Sequence, residues 1–223
     1  MGCLGQSSTA NKEENTNAAA GSNSTDKNKI LVIVGPSGVG KDTVMNQEIE
    51  THKDQFQKAV THTTREKREG ETEGVDYYFV TKDEFTKMKD NNEFVETNEY
   101  NDNYYGLSKK ELEKGQKSDK ICYCIIDING ANAIQKLGIP ANFVSVVTSD
   151  AKELEKRLQK RATETKEQIK GRVETAKKEL KEIKDNAMFN LKVVNDNLKD
   201  ATTSFDNQLK NLYPQLKVTV QVS

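Results

Sequence analysis

Short continuous runs of apolar residues recur along the chain, and each has the length of a strand. The first run, Ile30 to Val34, is rich in β-branched residues and ends at Gly35, which is typical of a strand buried on both faces. Similar runs follow later in the chain, at Ile121 to Ile126, Phe143 to Val147, Leu191 to Val194 and Val218 to Val222. We expect these runs to form the strands of one buried sheet.

Helix-periodic stretches separate these runs. Ser149 and Asp150 can cap a helix that carries Leu154 and Leu158 on one face. In the next stretch, apolar residues recur at helical spacing at Ile169, Val173, Ala176, Leu180 and Ile183. Strands that alternate with helices predict an α/β fold with a parallel-sheet core.

Two segments depart from this pattern. Residues 1 to 28 are rich in Asn, Ser and Thr and contain no large apolar residue after Leu4, so we expect a disordered tail. Residues 57 to 106 are rich in Thr and Tyr, with one short helical pattern from Asp83 to Asn91. We interpret that segment as a small, mixed and mostly β insertion, and residues 29 to 223 as one domain.

Composition excludes several classes of protein. The 223 residues include 34 Lys and Arg and 35 Asp and Glu, a net charge of −1, which does not fit a protein that binds nucleic acid through its phosphates. The apolar run at Ile121 to Ile126 is far shorter than the roughly 20 residues of a membrane-spanning helix. Two of the three cysteines lie in that run, so we expect no disulfide framework and a reducing, cytoplasmic compartment.

A glycine-rich turn follows the first predicted strand and leads into a helix-compatible stretch, Thr43 to His52. In this context the spacing GxxxxGK indicates a phosphate loop, because backbone N–H groups and the helix N-terminus bind phosphate oxygens and the lysine reaches the outer phosphates. The candidate ATP-binding residues are Gly35, Pro36, Ser37, Gly38, Val39, Gly40, Lys41, Asp42 and Thr43.

Asp42 occupies the position at which such loops usually have Ser or Thr, and Thr43 follows it. A carboxylate there can repel a triphosphate, or it can bind Mg²⁺ directly or through water. An Asp in the first turn of a helix is also favoured by the helix dipole alone. We therefore keep Asp42 and Thr43 as candidate metal ligands, with these alternatives open.

Five blocks in order make the chain resemble the guanylate kinase family: Gly35 to Lys41, Thr63 to Glu71, Gly74 to Phe79, Glu93 to Glu96 and Tyr104 to Gly106. The resemblance extends from about Lys29 to Leu212. It implies the P-loop nucleoside-monophosphate kinase fold, with its core at residues 29–56, 107–148 and 186–223, a GMP-binding region at 57–106 and a helical lid at about 149–185. It also implies Mg²⁺-dependent transfer of the ATP γ-phosphoryl group to GMP by a monomer.

The resemblance assigns roles on the acceptor side. Arg65, Arg68, Tyr77 and Tyr105 match positions that bind the acceptor phosphate, which guanidinium forks and phenolic hydroxyls suit. Glu96 matches the position that accepts hydrogen bonds from the guanine N–H groups, which adenine lacks. The further GMP-binding candidates are Thr61 and Asp127.

Some acceptor-side positions differ from the family. Leu107 replaces the Ser or Thr that follows the Tyr-Tyr-Gly block, so base discrimination is weakened or Ser108 substitutes. Ile125 replaces the first residue of an Asp-x-Asp pair, and Asp127 takes the second position. Asp127 can contact the base, bind Mg²⁺ through water, or cap the next helix.

The lid of the family carries arginines that stabilise the transferred phosphoryl group. Arg157 and Arg161 lie four positions apart and share a helix face, and Arg172 follows. A solvent-exposed helix face with paired charges is the alternative interpretation. Asn195 matches a block near the adenine side.

The N-terminus resembles that of an acylated heterotrimeric G-protein α subunit. Gly2 can carry myristate and Cys3 palmitate, which would attach the protein to a membrane, although Gln6 stands where the motif has Ser or Thr. An inert tail is the alternative. His52 and His62 lack the spacing of metal ligands, and we expect neither to act as a catalytic base.

Two other functions stay open. A non-catalytic guanylate-kinase-like interaction module would normally lack the phosphate loop, but Asp42 is compatible with it. Another phosphotransferase, such as a ribose-bisphosphate kinase, shares the Gly-Lys-Asp form of the loop. A signalling GTPase is not favoured, since the chain lacks an Asn-Lys-x-Asp block.

Overall fold

Two β-sheets organise the chain in the computed structural model, which describes residues 28–100, 102–159 and 166–217. The strands are β1 (Ile30–Val34), β2 (Phe56–Lys58), β3 (His62–Thr63), β4 (Tyr78–Phe79), β5 (Phe94–Tyr100), β6 (Asn103–Ser108), β7 (Ile121–Ile126), β8 (Ala141–Val147) and β9 (Leu191–Val194). The helices are α1 (Lys41–Thr51), α2 (Lys82–Asp90), α3 (Lys109–Gln116), α4 (Ile128–Lys136), α5 (Ala151–Gln159), α6 (Lys166–Asp185) and α7 (Leu198–Leu212). The predicted tail with Gly2 and Cys3, and the strand predicted at Val218 to Val222, lie outside the described residues.

The larger sheet is parallel and has the order β2-β7-β1-β8-β9. Its central strand β1 is buried along its whole length, and successive side chains point to opposite faces. Leu31 and Ile33 join the apolar cluster on one face, and Ile30, Val32 and Val34 join the cluster on the other. Helices cover both faces, so the predicted α/β fold with a parallel-sheet core is confirmed.

Helices α5 and α6 pack their apolar stripes onto this core. Leu154 and Leu158 of α5 are buried, as are Val173, Ala176, Leu180 and Ile183 of α6. The segment predicted as a lid therefore contains helices with core-facing stripes. Within the described ranges, no helix is long and apolar enough to span a membrane.

The smaller sheet is mixed and has the order β4-β3-β6-β5. Strand β3 pairs with β4 in parallel and with β6 antiparallel, as the insertion at 57–106 predicts. Strand β2, however, pairs with β7 in the larger sheet, so the boundary placed at residue 57 falls inside a strand of the core. A capping box between Thr81 and Glu84 begins α2, and Phe85 of that helix stacks on Phe94 of β5 at 4.5 Å between ring centroids.

Candidate active site

The candidate site lies at the carboxyl edge of the larger sheet, where open α/β sheets generally bind ligands. Strand β1 ends at Val34 and the glycine-rich loop follows; strand β7 ends at Ile126 and Asp127 follows. These two strands are adjacent and in register, with Val34 opposite Ile126. The topology therefore brings the loop and Asp127 to the same edge.

The loop turns into α1 at Gly40, which is the N-cap and has a left-handed backbone conformation, φ 90°. A side chain there would be strained, and its Cβ would lie 2.7 Å from Asn195 Nδ2. No side chain caps α1, so its first turn presents backbone N–H groups. That geometry suits a phosphate.

Lys41 lies folded back over the loop. Its Nζ donates to the carbonyl oxygens of Gly35 at 2.6 Å and Pro36 at 3.2 Å. The ammonium group is thus held against the start of the loop.

Helix α6 approaches the loop with two side chains. They lie seven positions apart in the chain and therefore on one helix face. Arg172 Nη2 donates to Ser37 Oγ at 2.5 Å. Glu179 lies near Ser37 and Lys41; burial raises the pKa of Glu179, the nearby Lys41 lowers it and Asp127 raises it. The sequence analysis names Arg172 but not Glu179, although the spacing of seven residues between them predicts that both lie on the same helix face.

Arg157 of α5 reaches the loop from another direction. Its Nε donates to Glu153 at 3.1 Å, and its Nη2 donates to the Asp196 carbonyl oxygen at 3.0 Å. Its Nη1 is 3.5 Å from the Val39 carbonyl oxygen. The structure therefore brings Arg157 and Arg172 together at the loop, while Arg161 lies outside the described residues.

Asn195 is buried beneath the loop, with 4% of its surface exposed. Its Nδ2 donates to the Val39 carbonyl oxygen at 2.8 Å. This hydrogen bond holds the Val39 carbonyl group and so helps to fix the conformation of the loop. Sequence reasoning had placed Asn195 near the adenine, and the contact with Val39 is one that the residue order could not reveal.

On the small sheet, Arg65 makes a two-pronged ion pair with Glu71. Its Nη2 and Nη1 donate to the two carboxylate oxygens at 2.6 Å and 3.1 Å, and the Arg68 backbone N–H also donates to Glu71 at 2.8 Å. The hydrogen bond from Arg65, followed by that from Arg68, lowers the pKa of Glu71. Sequence reasoning missed Glu71, which fixes the direction of the Arg65 fork.

Two tyrosines stand beside this ion pair. The Arg65 guanidinium lies 5.4 Å from the centroid of the Tyr77 ring, and the rings of Tyr77 and Tyr105 meet edge to face at 6.1 Å. The Arg68 side chain is exposed. The four residues predicted to bind an acceptor phosphate thus lie in one neighbourhood, whereas the Thr61 carbonyl oxygen accepts from the Tyr78 N–H within the sheet.

Glu96 faces α4 from β5. The pairing of β5 with β6 shifts register between Phe94 and Glu96, an irregularity of the kind that redirects side chains. A Cβ on Gly130 would lie 2.1 Å from Glu96 Oε2, so only glycine fits opposite this carboxylate.

The position of the Glu96 side chain disfavours the ionised form of its carboxyl group. Among the described residues, its buried Oε2 accepts no hydrogen bond. Burial, and then the charge of Asp127, raises the pKa of Glu96 to about 8. Asp127 itself caps α4 by accepting from the Gly130 N–H at 2.9 Å, which is the third of the roles predicted for it.

Leu107, which departs from the family, and Ser108, its predicted substitute, are both buried. Leu107 is fully buried in the apolar cluster that contains Val95, so it does not contact a base. Ser108 caps α3 by accepting from the Glu111 N–H at 3.2 Å. Ser108 is therefore engaged in the fold, and the prediction that it substitutes for the missing hydroxyl is not supported by its position.

Asp42 and Thr43 lie in the first turn of α1, and both are exposed. A carboxylate and a hydroxyl next to a phosphate loop are the oxygen ligands that Mg²⁺ prefers, usually together with phosphate oxygens and water. These donors fit that ion.

Comparison with known proteins agrees with this geometry. A family model described as guanylate kinase matches residues 27–212. Among solved structures, guanylate kinase from Anaplasma phagocytophilum superposes with a TM-score of 0.58 at 26% identity, covering 86% of this chain and 88% of that one.

Curated relatives carry the same name. The guanylate kinase of Onion yellows phytoplasma is 41% identical over 139 residues, which are 62% of this chain and 66% of the relative. Those of Schizosaccharomyces pombe and Homo sapiens are 38% and 36% identical, covering 62% and 60% of this chain and 68% of each relative. The chain thus matches about two thirds of the length of these relatives.

Proposed function

The chain belongs to the guanylate kinase family, a family of nucleoside monophosphate kinases, and on that premise we propose that it transfers the γ-phosphoryl group of ATP to GMP, giving ADP and GDP. The observation that carries the proposal is the buried Glu96 oxygen that accepts no hydrogen bond among the described residues. Guanine presents two N–H donors on one edge, and such a base removes the cost of that unpaired carboxylate.

On the ATP side, the loop N–H groups and Lys41 bind the phosphates. The transferred group in such reactions has a loose transition state whose charge lies on its outer oxygens. Arg157 and Arg172, with Arg161 from the segment between them, stabilise that charge. Asp42 or Thr43, together with the phosphates, would hold Mg²⁺, which would supply positive charge next to the phosphoryl groups.

On the acceptor side, Arg65, Arg68, Tyr77 and Tyr105 bind the GMP phosphate. The fork of Arg65 is already directed by Glu71, so little rotational freedom is lost when a phosphate binds. No general base is needed, because the nucleophile is a phosphate oxygen that is already anionic. In this proposal, the small sheet is the GMP-binding region and the α5–α6 segment is the lid.

The experiment is an ADP-release assay with the full chain, ATP and Mg²⁺, and with GMP, AMP, UMP or ribose bisphosphate as acceptor. We expect turnover with GMP to exceed that with each other acceptor by at least roughly 100-fold, since a polar site rejects a base that leaves its buried acceptor unpaired. Turnover with ribose bisphosphate alone would establish the other phosphotransferase. Binding of GMP without any turnover would establish the non-catalytic module.

A further inference from the structure

A histidine and two carboxylates meet between α1 and α7, away from the phosphate loop. Glu48 and His52 lie one helical turn apart at the end of α1, and Asp206 approaches from α7. His52 Nε2 is 2.6 Å from Asp206 Oδ1 and 3.8 Å from Glu48 Oε2. The three atoms all lie within 4.8 Å of one another.

The histidine ring is oriented with Nε2 toward the carboxylates. His52 Nδ1 is 2.9 Å from the Lys217 carbonyl oxygen, which can only accept a hydrogen bond. Nδ1 therefore carries a proton and donates it there. A histidine that donates one ring N–H to a backbone carbonyl is the usual arrangement of a metal-binding histidine, because it fixes the ring. Here Nε2 is also hydrogen-bonded to Asp206 Oδ1 at 2.6 Å, so an ion binds Nε2 only by replacing the proton between these two atoms.

The Glu48 side chain is buried and lacks a partner for one oxygen. Only 1% of its surface is exposed, and among the described residues its Oε2 accepts no hydrogen bond. Burial, and then the charge of Asp206, raises the pKa of Glu48 to about 8, while Lys210 lowers it. A buried carboxylate of this kind needs a proton or a cation.

The surroundings provide a route from solvent to the two carboxylates. Lys210 Nζ binds the other carboxylate oxygen of Asp206, Oδ2, at 2.6 Å, so Oδ1 keeps its direction toward His52. A surface cavity of about 500 Å³ is lined by Glu48 and Asp206 together with Thr202 and Thr203. Water can therefore enter at the open side of the cluster.

We propose that Glu48, His52 and Asp206 form a binding site for a divalent transition-metal ion, best suited to Zn²⁺, with a water molecule from the cavity as the fourth ligand. Zn²⁺ takes one nitrogen and two carboxylate oxygens at about 2.0–2.2 Å, which places tetrahedral ligand atoms roughly 3.3 Å apart. The separation of His52 Nε2 from Glu48 Oε2, 3.8 Å, is longer than that value, and the hydrogen bond from Nε2 to Asp206 Oδ1, 2.6 Å, is shorter. Binding of the ion therefore replaces the proton of that bond and moves its two atoms apart by about 0.7 Å.

The site ties three parts of the chain together. It joins the end of α1 to α7 and, through the Lys217 carbonyl oxygen, to the last described residues. Helix α1 has 11 residues and is therefore about 16 Å long, so the ion lies about that far from Lys41 at the other end. The site is thus separate from the Mg²⁺ that accompanies ATP, and its effect is on stability.

Sequence reasoning missed this site. Glu48 and His52 have the i, i+4 spacing of metal ligands on a helix, although the sequence analysis treats His52 as a histidine without such spacing. The third ligand lies 154 residues further along the chain, and only the packing of α7 on α1 brings it there.

The test is a Zn²⁺ titration of the full chain after chelator treatment, with metal content and melting temperature as readouts. We expect one Zn²⁺ to bind per chain and to raise the melting temperature, since an ion that binds only the folded state stabilises it. Glu48→Gln keeps the shape of the side chain and should weaken binding roughly 100-fold. His52→Gln should do the same, and circular dichroism checks that each variant is folded.

Two variants serve as controls. His62→Gln removes the only other histidine, and Cys3→Ser removes an N-terminal thiol; both should bind Zn²⁺ as the unaltered chain does. The proposal is overturned if the unaltered chain takes up no Zn²⁺, or if Glu48→Gln binds it equally well. If no Zn²⁺ binds, Glu48 carries a proton instead, and the melting temperature of Glu48→Gln should then equal or exceed that of the unaltered chain.

Discussion

The phosphate loop and the part of the site that we propose binds guanine (the guanine side) differ in how well their polar groups are satisfied. Around the loop, side chains from distant elements are already bonded: Asn195 to Val39, and Arg172 to Ser37. On the guanine side, Glu96 Oε2 accepts no hydrogen bond among the described residues, and burial raises the pKa of Glu96 to about 8. The loop is thus held in its binding shape by the fold, whereas the guanine side holds an unfavourable carboxylate that a suitable base would relieve.

This difference implies that separate substitutions can impair the loop side and the guanine side of the site independently. Lys41→Met should reduce kcat about 10²–10³-fold, because it removes a cation from the transferred phosphoryl group, while GMP affinity stays unchanged. Steady-state kinetics and calorimetric GMP titration measure the two quantities. Lys53→Met, at an exposed position beyond α1, is the matched control, and equal losses of ATP and GMP binding in Lys41→Met would contradict the separation.

Glu96→Gln should have the complementary effect. We expect kcat/KM for GMP to fall roughly 100-fold, because hydrogen bonds to a charged acceptor are lost and an amide N–H faces the guanine N–H groups. The KM for ATP should not change. Glu93→Gln, an exposed glutamate three positions earlier, should behave as the unaltered chain; a comparable loss in that variant would refute the role of Glu96.

Gly130→Ala tests the position of the Glu96 carboxylate without removing it. The added Cβ would lie 2.1 Å from Glu96 Oε2, so the carboxylate must move. We expect the KM for GMP to rise roughly tenfold, since a small misplacement of a binding group is costly. Gly171→Ala, where no atom lies within 4 Å of the new Cβ, is the control, and an unchanged KM in Gly130→Ala would show that this contact does not position Glu96.

Asn195→Ala should have the smallest effect on activity and act on the loop side alone. It removes the donor at 2.8 Å from the Val39 carbonyl oxygen and leaves that oxygen only the longer contact from Arg157 at 3.5 Å; loss of one buried hydrogen bond costs about 1 kcal/mol of unfolding free energy. The melting temperature should fall and the KM for ATP should rise a few-fold, with GMP binding unaffected. Denaturant unfolding and ATP kinetics measure these changes; a selective loss of GMP binding would contradict the assignment.

The parts that local patterns encode could be predicted from the sequence. The continuous β-branched run of β1 and the helical spacing in α6 give the strand and the core-facing stripe that the structure has. The loop was recognisable because strand, glycines, lysine and helix coincide. Helices α3 and α7 were missed, although Ser108 and Asn197 are N-cap residues that mark their starts; α3 is short and mostly charged, which hides its helical pattern.

The site could be predicted as a set of residues but not as a set of contacts. Arg65 was given a role, whereas its partner Glu71 was named only as the end of a sequence block, because many acidic residues lie near it in the sequence. Asn195 and Glu179 act on the loop across more than 130 residues, and only tertiary packing reveals such contacts. Arg161 and the acylation of Gly2 and Cys3 stay predictions, since those residues lie outside the described ranges.

The most direct test of the central claim is the pH dependence of GMP binding, measured by calorimetry without ATP. Only ionised Glu96 accepts both guanine N–H groups, and its raised pKa means that ionisation is lost as the pH falls below about 8. The dissociation constant should therefore rise roughly tenfold per pH unit from about pH 8 down to about pH 6. Glu96→Gln should keep only the weaker dependence that comes from the GMP phosphate, whose second pKa is about 6. The same steep dependence in Glu96→Gln would contradict the account.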